Sequence, residues 1–407
     1  PPPPFFFLCY GDHRDLHLSI RRQRQLCIRD RPMVLERGDG ARVWDVDGKE
    51  YLDFTSGWAV NNVGHCNEAV ADAIAEQART LLQTSNQFYS IPQLKMAEIL
   101  VENSCLDKIF ICNSGAEANE GAIKLAKKYG KKNKNGAYGI ITALNSFHGR
   151  TMMNVSATGQ PHYQELFEPI PTGFTHVPYN DLEAIKSATN ENTVAIMLEP
   201  VQGEGGVNIP DTDYLQGVRS WCDENNILLI FDEVQTGLGR LGTLFGYQSF
   251  EVEPDIITLA KGLGGGVPIG AFMAKDSACA FDPGDHGSTF GGNPLTCAAA
   301  HASTKYLIDN NVTENAAKMG EYLGEGLRKI QAGHEFITDV RGMGLLWAVE
   351  FDSDLTPEVI SACNDAGLLM NPMRPNTVRL MPVLTITEAE IDEALERLEE
   401  GLRNATS

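Results

Sequence analysis

Two residues at the ends of apolar runs raise the first chemical question. Ile227-Leu228-Leu229-Ile230-Phe231 leads into Asp232 and Glu233, and Thr258-Leu259-Ala260 leads into Lys261, followed by Gly262 and Gly264-Gly265-Gly266. A lysine beside a glycine-rich segment, where a flat ring can approach the backbone, suits an amine used for covalent chemistry. A carboxylate near it would keep a pyridine nitrogen protonated, so that the ring withdraws electrons while the amine holds the ring's aldehyde. Taken singly, each residue has a plainer explanation: Asp232 as the cap of a following helix, Lys261 as an exposed loop lysine. Their shared position after apolar runs is what favours the chemical one.

Other runs end in residues of the same kind. Lys108-Ile109-Phe110-Ile111-Cys112 is followed by Asn113-Ser114-Gly115-Ala116-Glu117-Ala118-Asn119-Glu120, small residues that open a helix running to about Tyr129. The free N–H groups and dipole of that helix start would hold a phosphate, although a capped start without a ligand reads equally well. The run Gly139-Ile140-Ile141-Thr142-Ala143 precedes Asn145-Ser146-Phe147-His148-Gly149-Arg150. These offer an aromatic face to a ring and a guanidinium to a carboxylate, with Phe147 as core and Arg150 as a surface ion pair left open. Val194-Ala195-Ile196-Met197-Leu198 delivers two carboxylates, Glu199 and Glu204, to the same rim, and the loop His286 to Asn293 brings the hydroxyls of Ser288 and Thr289 for a phosphate or a subunit contact. The nine histidines have no metal-ligand spacing, and His65 and His148 lack carboxylate or cysteine partners in the sequence, so no metal is expected. With no Gly-x-Ser-x-Gly elbow and no Walker loop, the chemistry must come from a cofactor or not at all.

Such positions need a scaffold. The runs just named, with Asp255-Ile256-Ile257-Thr258-Leu259, are apolar without alternation and are separated by helical stretches, the pattern of strands buried on both faces in parallel α/β order. Ligands of such sheets gather beyond the carboxyl ends of the strands. Val43 to Gly48 reads as a hairpin turned at Asp-Gly. After about Leu295 the pattern becomes helical, then reaches Arg341 to Glu350 and a final helix from Glu388 to Arg403, a smaller α+β unit. The expected organisation is an arm over residues 1–35, a large cofactor-binding domain over 36–295 whose start to about residue 60 packs with the small domain, and a small domain over 296–407. The 407 residues suit two or three such units.

Composition narrows the partners. A formal charge of -21 disfavours nucleic acid, whose backbone needs a basic surface. Nine cysteines without a Cys-x-x-Cys pair argue against a disulfide framework, and no apolar run approaches a membrane span, so a soluble, cytoplasmic protein is expected. Arginines 21, 22, 24, 29 and 31 would suit an organelle transit peptide, but Asp12, Asp15 and Asp30 do not.

Together these residues resemble the class III (ω-amino acid) aminotransferases from about Pro32 to Leu402. The most specific pieces are Asn113 to Glu120, Phe147-His148-Gly149-Arg150, Glu199-Pro200 with Gln202 to Gly206, Phe231-Asp232-Glu233-Val234-Gln235, Lys261, and Gly287-Ser288-Thr289 with Gly291 to Pro294. The resemblance implies a fold-type-I homodimer with its active sites at the subunit boundary and pyridoxal 5'-phosphate as cofactor. Lys261 would carry the cofactor covalently and shuttle the proton, Asp232 would pair with the pyridine nitrogen, Gln235 would touch the ring hydroxyl and Phe147 would stack on the ring. Ser114, Gly115 and Ala116 would hold the phosphate, helped by Thr289 from the partner subunit, with Glu199 also at the cofactor. Arg150 and Ser288 would bind substrate, and Glu204 and Arg379 would form the pair that exchanges partners between an ω-amine and an α-amino acid. The implied donor is the terminal amine of N2-acetylornithine and the acceptor 2-oxoglutarate, with succinylornithine, ornithine, 4-aminobutyrate or a lysine-pathway amine as other donors. A catalytically silent cofactor-binding protein is the reading from another class. Two places depart from the family pattern: Ile28, where a tyrosine is usual, and Trp58, whose indole would reshape substrate choice or pack at the dimer boundary.

Overall fold

The computed structural model describes residues 33–406, so the expected arm through residue 32, with Ile28, lies outside the described residues. The described chain opens with three antiparallel strands, β1 (Leu35–Asp39), β2 (Arg42–Asp45) and β3 (Glu50–Asp53). β2 and β3 are the expected hairpin. Gly48 turns it with a φ of 82°, and the Asp45 carboxylate accepts the N–H groups of Asp47 and Lys49 across the turn.

Seven strands make the central sheet: β4 (Lys108–Cys112), β5 (Gly139–Ala143), β6 (Phe174–Val177), β7 (Thr193–Leu198), β8 (Leu228–Asp232), β9 (Ile256–Leu259) and β10 (Gly270–Ala274). Their order is β4-β10-β9-β8-β7-β5-β6. Strands β6, β5, β7, β8 and β9 run parallel, and β10 runs against both β9 and β4. Every residue of β7, β8, β9 and β10 is buried, which is why those sequences carry no polar alternation. In β8 alternate residues enter different cores, Leu229 and Phe231 on one face and Leu228 and Ile230 on the other.

The five strands expected in this sheet are all present, within a residue of their expected ends. β6 and β10 were not anticipated. β6 is a short, partly exposed edge strand, and β10 is Gly-Ala-Phe-Met-Ala, without a β-branched residue to mark it.

Towards the C-terminus, β11 (Ile337–Met343) and β12 (Leu346–Phe351) form a hairpin over the expected segment Arg341 to Glu350. After the two-residue β13 (Leu368–Leu369) come β14 (Asn371–Arg374) and β15 (Thr377–Leu380), giving a third sheet, beside the first three strands and the central seven, in the order β11-β12-β15-β14. β13 pairs with β3 instead, so the start of the described chain is stitched to its C-terminal part. The last helix, Glu388–Ala405, begins at a capping box between Thr387 and Glu390. Helix Pro294–Asp309 packs against Glu68–Thr80 and Ile91–Glu102 and carries the chain from the central sheet towards the third. Among the described residues no helix is long and apolar enough to cross a membrane.

Candidate active site

The carboxyl ends of the parallel strands open into a cavity of about 500 Å³, enough for a cofactor with a small substrate. β4 and the helix after it bring Ser114, Gly115 and Ala116 to its wall, and the loop after β5 brings Phe147 and Arg150. β7 contributes Glu199 and Glu204, β8 Asp232 and Gln235, and β9 Lys261.

Asp232 ends β8 and is buried. Its Oδ2 accepts from Asn119 Nδ2 at 2.8 Å and lies 2.8 Å from His148 Nδ1, while Oδ1 accepts the Val234 N–H at 3.0 Å. The Thr258 hydroxyl is 3.4 Å away, longer than an ordinary O–H···O bond, so the carboxylate keeps capacity for one more donor. Burial presses the His148 pKa down, but the hydrogen bond to Asp232 and its negative charge outweigh that, and the imidazole ends above its ordinary value. A protonated His148 then sets a positive charge against the Asp232 carboxylate.

Lys261 begins the turn after β9 with a φ of 38°, a left-handed conformation that costs a non-glycine residue of order 1 kcal/mol and is characteristic of functional sites. Among the described residues its amine makes no hydrogen bond or ion pair. Burial lowers its pKa from the usual 10.5, against the pull of the nearby Glu204 charge. An amine without a partner, lining a cavity and easier to deprotonate than usual, is poised for covalent and proton-transfer chemistry.

Helix Gly115–Asn133 starts at Ser114, whose hydroxyl accepts the Glu117 N–H. The N–H groups of Gly115 and Ala116 find no acceptor among the described residues, leaving two donors at the positive end of the helix dipole. Gly115 is required here, since a Cβ would lie 2.8 Å from Val234 Cγ1 and push the helix start away from β8. Behind Phe147, Glu199 has both oxygens engaged, Oε2 by the Phe147 N–H at 3.1 Å and Oε1 by the Gly203 N–H at 3.2 Å. Burial pushes its pKa up to about 7. Glu199 therefore fixes the backbone that presents Phe147.

Glu204 and Arg379 come together although they lie on different sheets' segments. Arg379, on β15 and fully buried, places Nη2 2.8 Å from Glu204 Oε1 and donates from Nη1 to Gln235 Oε1 at 3.2 Å. Gln235 donates in turn to Glu204 Oε1 at 3.2 Å. The Arg379 charge, with that of Lys261, overcomes the burial that would otherwise raise Glu204 and holds its pKa down to about 2. The contact is close but poorly directed, because Nη2 and Nε of Arg379 have no aligned hydrogen-bond acceptor.

Four expected substrate or cofactor contacts lie off this wall: Arg379, which meets it only through Glu204 and Gln235, and Ser288, Thr289 and Trp58. Ser288 Oγ accepts from Asn113 Nδ2 and from the Gly291 N–H, both at 3.0 Å, and Thr289 is exposed, its carbonyl accepting from Gln83 at 2.6 Å. Neither lines the cavity of its own chain. Trp58 is 38% exposed and also off the wall, where Val60 stands instead. It sits in a left-handed turn, with positive φ from Ser56 to Ala59, anchored by Asp53 accepting the N–H groups of Thr55 and Ser56.

Sequence reasoning passed over two members of the site. Asn119 and His148 fall within motifs whose other residues carry the signal, and His148 has no carboxylate partner close by in the sequence. The fold supplies one from 84 positions away. The converse holds for Glu233, the neighbour of Asp232. It turns to the opposite side, accepts the N–H groups of Gly246 and Tyr247, and is raised by burial to about 7.

The family model for aminotransferase class III matches residues 28–402. The acetylornithine aminotransferase of Caldanaerobacter subterraneus is 49% identical over 372 residues, 91% of this chain and 95% of that protein. Among solved structures, an ornithine aminotransferase from Toxoplasma gondii with partial occupancy of PLP at its active site superposes with a TM-score of 0.92 at 35% identity, covering 97% of this chain and 96% of its own. The acetylornithine aminotransferase from Elizabethkingia anophelis superposes at 0.87 with 34% identity, covering 97% of this chain and all of its own.

Proposed function

The chain belongs to the class III aminotransferases and is a transaminase dependent on pyridoxal 5'-phosphate; from that premise we propose that it moves the terminal amine of N2-acetylornithine to 2-oxoglutarate. The products would be N-acetylglutamate 5-semialdehyde and glutamate, a step of arginine biosynthesis. One observation carries the reading: the cavity brings Lys261, an amine without a partner among the described residues, together with Glu204, which holds the fully buried Arg379 at 2.8 Å.

The residues fit the cofactor. Asp232 has room for one further donor, as a protonated pyridine nitrogen requires, and the Gly115 and Ala116 N–H groups, with Ser114, offer a phosphate two unclaimed donors. Phe147 would face the ring and Gln235 its hydroxyl. When bound, the cofactor supplies an aldehyde that receives the amino group and a ring that withdraws electrons from the substrate carbon.

The chain's own groups do the rest. Lys261, its pKa lowered, takes the proton from the carbon bearing the amine and returns it to the neighbouring position. Asp232, braced by His148 and Asn119, keeps the ring nitrogen protonated. Arg150 binds the α-carboxylate of the ω-amine donor while Glu204 holds Arg379. When glutamate enters, Arg379 leaves Glu204 and takes the glutamate α-carboxylate. The two half-reactions alternate on one site, so kinetics are ping-pong.

We place Ser288 and Thr289 at the active site of a second copy, in a homodimer. In support, Leu81, Leu82, Phe88, Tyr89, Ile91 and Phe290 expose apolar surface around the segment that holds the Ser288–Thr289 backbone. A mixed dimer of a Lys261→Ala chain and a Thr289→Ala chain then holds one intact site and regains activity that neither parent shows; no gain on mixing removes Thr289 from the partner's site. The cytoplasmic placement is likewise proposed, supported by free thiols at every described cysteine.

Steady-state rates with N2-acetylornithine, N2-succinylornithine, ornithine and 4-aminobutyrate test the donor. N2-acetylornithine is expected to give the highest kcat/KM, and a tenfold preference for another amine overturns the choice. Borohydride reduction should fix the cofactor to the peptide bearing Lys261; a label elsewhere overturns the site.

A further inference from the structure

Arg150 carries an exposed guanidinium on the cavity wall, yet among the described residues it makes no ion pair or hydrogen bond. That is unusual in a chain with 54 acidic residues against 33 lysines and arginines. What holds it is aromatic. The guanidinium carbon lies 3.9 Å from the Tyr163 ring centroid and 5.4 Å from that of Phe147, and the two rings meet edge to face at 6.0 Å. A ring 3.9 Å from the guanidinium carbon covers one side of the group and accepts none of its five N–H donors in a hydrogen bond.

Tyr163 is itself fixed. It sits in the one-turn helix Pro161–Gln164, with its N–H bonded to Gln160 O at 3.0 Å. Gln160 Nε2 donates to Ser146 O at 2.9 Å, in the same loop that carries Phe147 and Arg150, and Gln164 Nε2 donates to Thr158 O at 2.7 Å. The stacking ring is thereby tied to the loop it supports.

We propose that Tyr163 is the positioning residue for recognition of the donor's carboxylate. By holding Arg150 through its face it keeps the planar donor edge open to the cavity, ready for a two-point contact with a carboxylate, and no carboxylate among the described residues pairs with that edge. This rests on the reading that Arg150 binds the carboxylate of the amine donor. It follows that the site selects ω-amines bearing a carboxylate at the far end, and that Tyr163 contributes nothing to an otherwise equal amine without one.

The test uses the holoenzyme and ligands that differ only in the relevant group. N-acetylnorvaline has the carboxylate but no terminal amine, so its dissociation constant, measured by calorimetry, reports binding alone. N-acetylputrescine has the amine but no carboxylate. Tyr163→Leu is expected to weaken N-acetylnorvaline about tenfold, to raise KM for N2-acetylornithine similarly with kcat within about twofold, and to leave kcat/KM for N-acetylputrescine within about twofold. Tenfold corresponds to about 1.4 kcal/mol, within the range of a partly desolvated cation–π contact. Tyr163→Phe, which keeps the ring, should recover most of the affinity. Equal losses with both amines would mean a general structural role and overturn the proposal, as would an unchanged dissociation constant in Tyr163→Leu where Arg150→Ala weakens N-acetylnorvaline. If Arg150→Ala itself leaves N-acetylnorvaline unchanged, the carboxylate reading on which the proposal rests is what fails.

Discussion

Around Asp232 the partners close in with good geometry, Asn119 and His148 at 2.8 Å and the Val234 N–H at 3.0 Å, all drawn from segments packed on the central sheet. Around Arg379 the ion pair with Glu204 is as short, 2.8 Å, but Nη2 and Nε lack aligned acceptors, and the two partners come from different sheets. A second buried guanidinium, Arg240, stands behind Arg379. It is bonded only to neutral acceptors, Asn62 Oδ1 and the carbonyls of Leu345 and Pro382, and burial together with the Arg379 charge lowers its pKa to about 9. Moving a fully bonded buried charge forfeits about 1.5–3 kcal/mol per charged hydrogen bond, whereas a guanidinium already short of bonds and pressed by a like charge has little to lose. The contrast supports the proposal that the first network stays fixed while the second exchanges partners. Lys261 sits between them with no hydrogen-bond or ion-pair partner among the described residues.

The sharpest break in that comparison is at Lys261. Lys261→Ala should cut turnover at least about 10^4-fold, the upper end of what one acid–base group supplies, and turnover above about 1% of wild type would remove Lys261 from the chemistry. Stability should move the other way. Its folded pKa lies below the ordinary 10.5, so burial of the charged amine destabilises the fold at all pH values below the folded pKa, and that penalty is relieved as pH rises towards 10.5. Stripped of cofactor, the variant should therefore be at least as stable as wild type at pH 8, with the advantage shrinking towards pH 10.5 in denaturant titrations. Next in size, Asp232→Asn should lower kcat by roughly 10^2–10^4 in both half-reactions alike, because the ring nitrogen serves both. Single-turnover rates with donor and with acceptor check this, and a loss confined to one of them would make Asp232 part of the exchange instead.

Arg379→Leu probes the second network through pH. In wild type the Glu204 pKa is held down to about 2, so its stabilisation is complete above the ordinary 4.5 and is lost as pH falls from 4.5 towards 2. Without Arg379, burial dominates and the carboxyl should rise above 4.5, reversing the sign: the variant loses stability as pH rises from 4.5 through the new value. The gap between wild type and variant should widen by up to about 1.4 kcal/mol per pH unit in that window, reaching on the order of 2 kcal/mol at neutral pH once partial exposure of Glu204 is allowed for. Parallel unfolding curves between pH 4.5 and 8 would mean the pair is not energetically coupled.

The two networks also differ in how far the sequence discloses them. Asp232, Lys261, Glu199, Glu204 and the Gly115 helix start are legible because each lies in the segment that leaves an apolar run, and local order fixes which end of a strand that segment occupies. Asn119 and His148 are not, because their partner is set by how three separate strand ends converge. Glu233 and Asp232 look equivalent as letters, yet strand alternation sends them to opposite faces, one to the cavity and one to the backbone of Gly246 and Tyr247. Trp58 illustrates the opposite limit. Only Gly57 in its turn favours positive φ by composition, so nothing in Ser-Gly-Trp-Ala announces four consecutive left-handed residues that carry the indole off the cavity wall.

Glu204→Gln has the smallest expected effect and separates the networks most cleanly. The amide keeps the size of the side chain and an oxygen for the Gln235 donor at 3.2 Å, so neither packing nor Asp232 is disturbed. What is lost is the charge that occupies Arg379. The guanidinium is then free in both halves of the cycle. An ω-amine donor, which presents no carboxylate at that place, must bind beside an uncompensated cation, while glutamate no longer has to displace Glu204 to reach it. The ratio of kcat/KM for N2-acetylornithine to that for glutamate should fall about tenfold, a shift of about 1.4 kcal/mol, with most of the change in KM. Arg379→Leu should move the same ratio the other way, by weakening glutamate. If Glu204→Gln instead slows both half-reactions equally, as Asp232→Asn is expected to do, Glu204 belongs with the fixed network and Arg379 does not change partners.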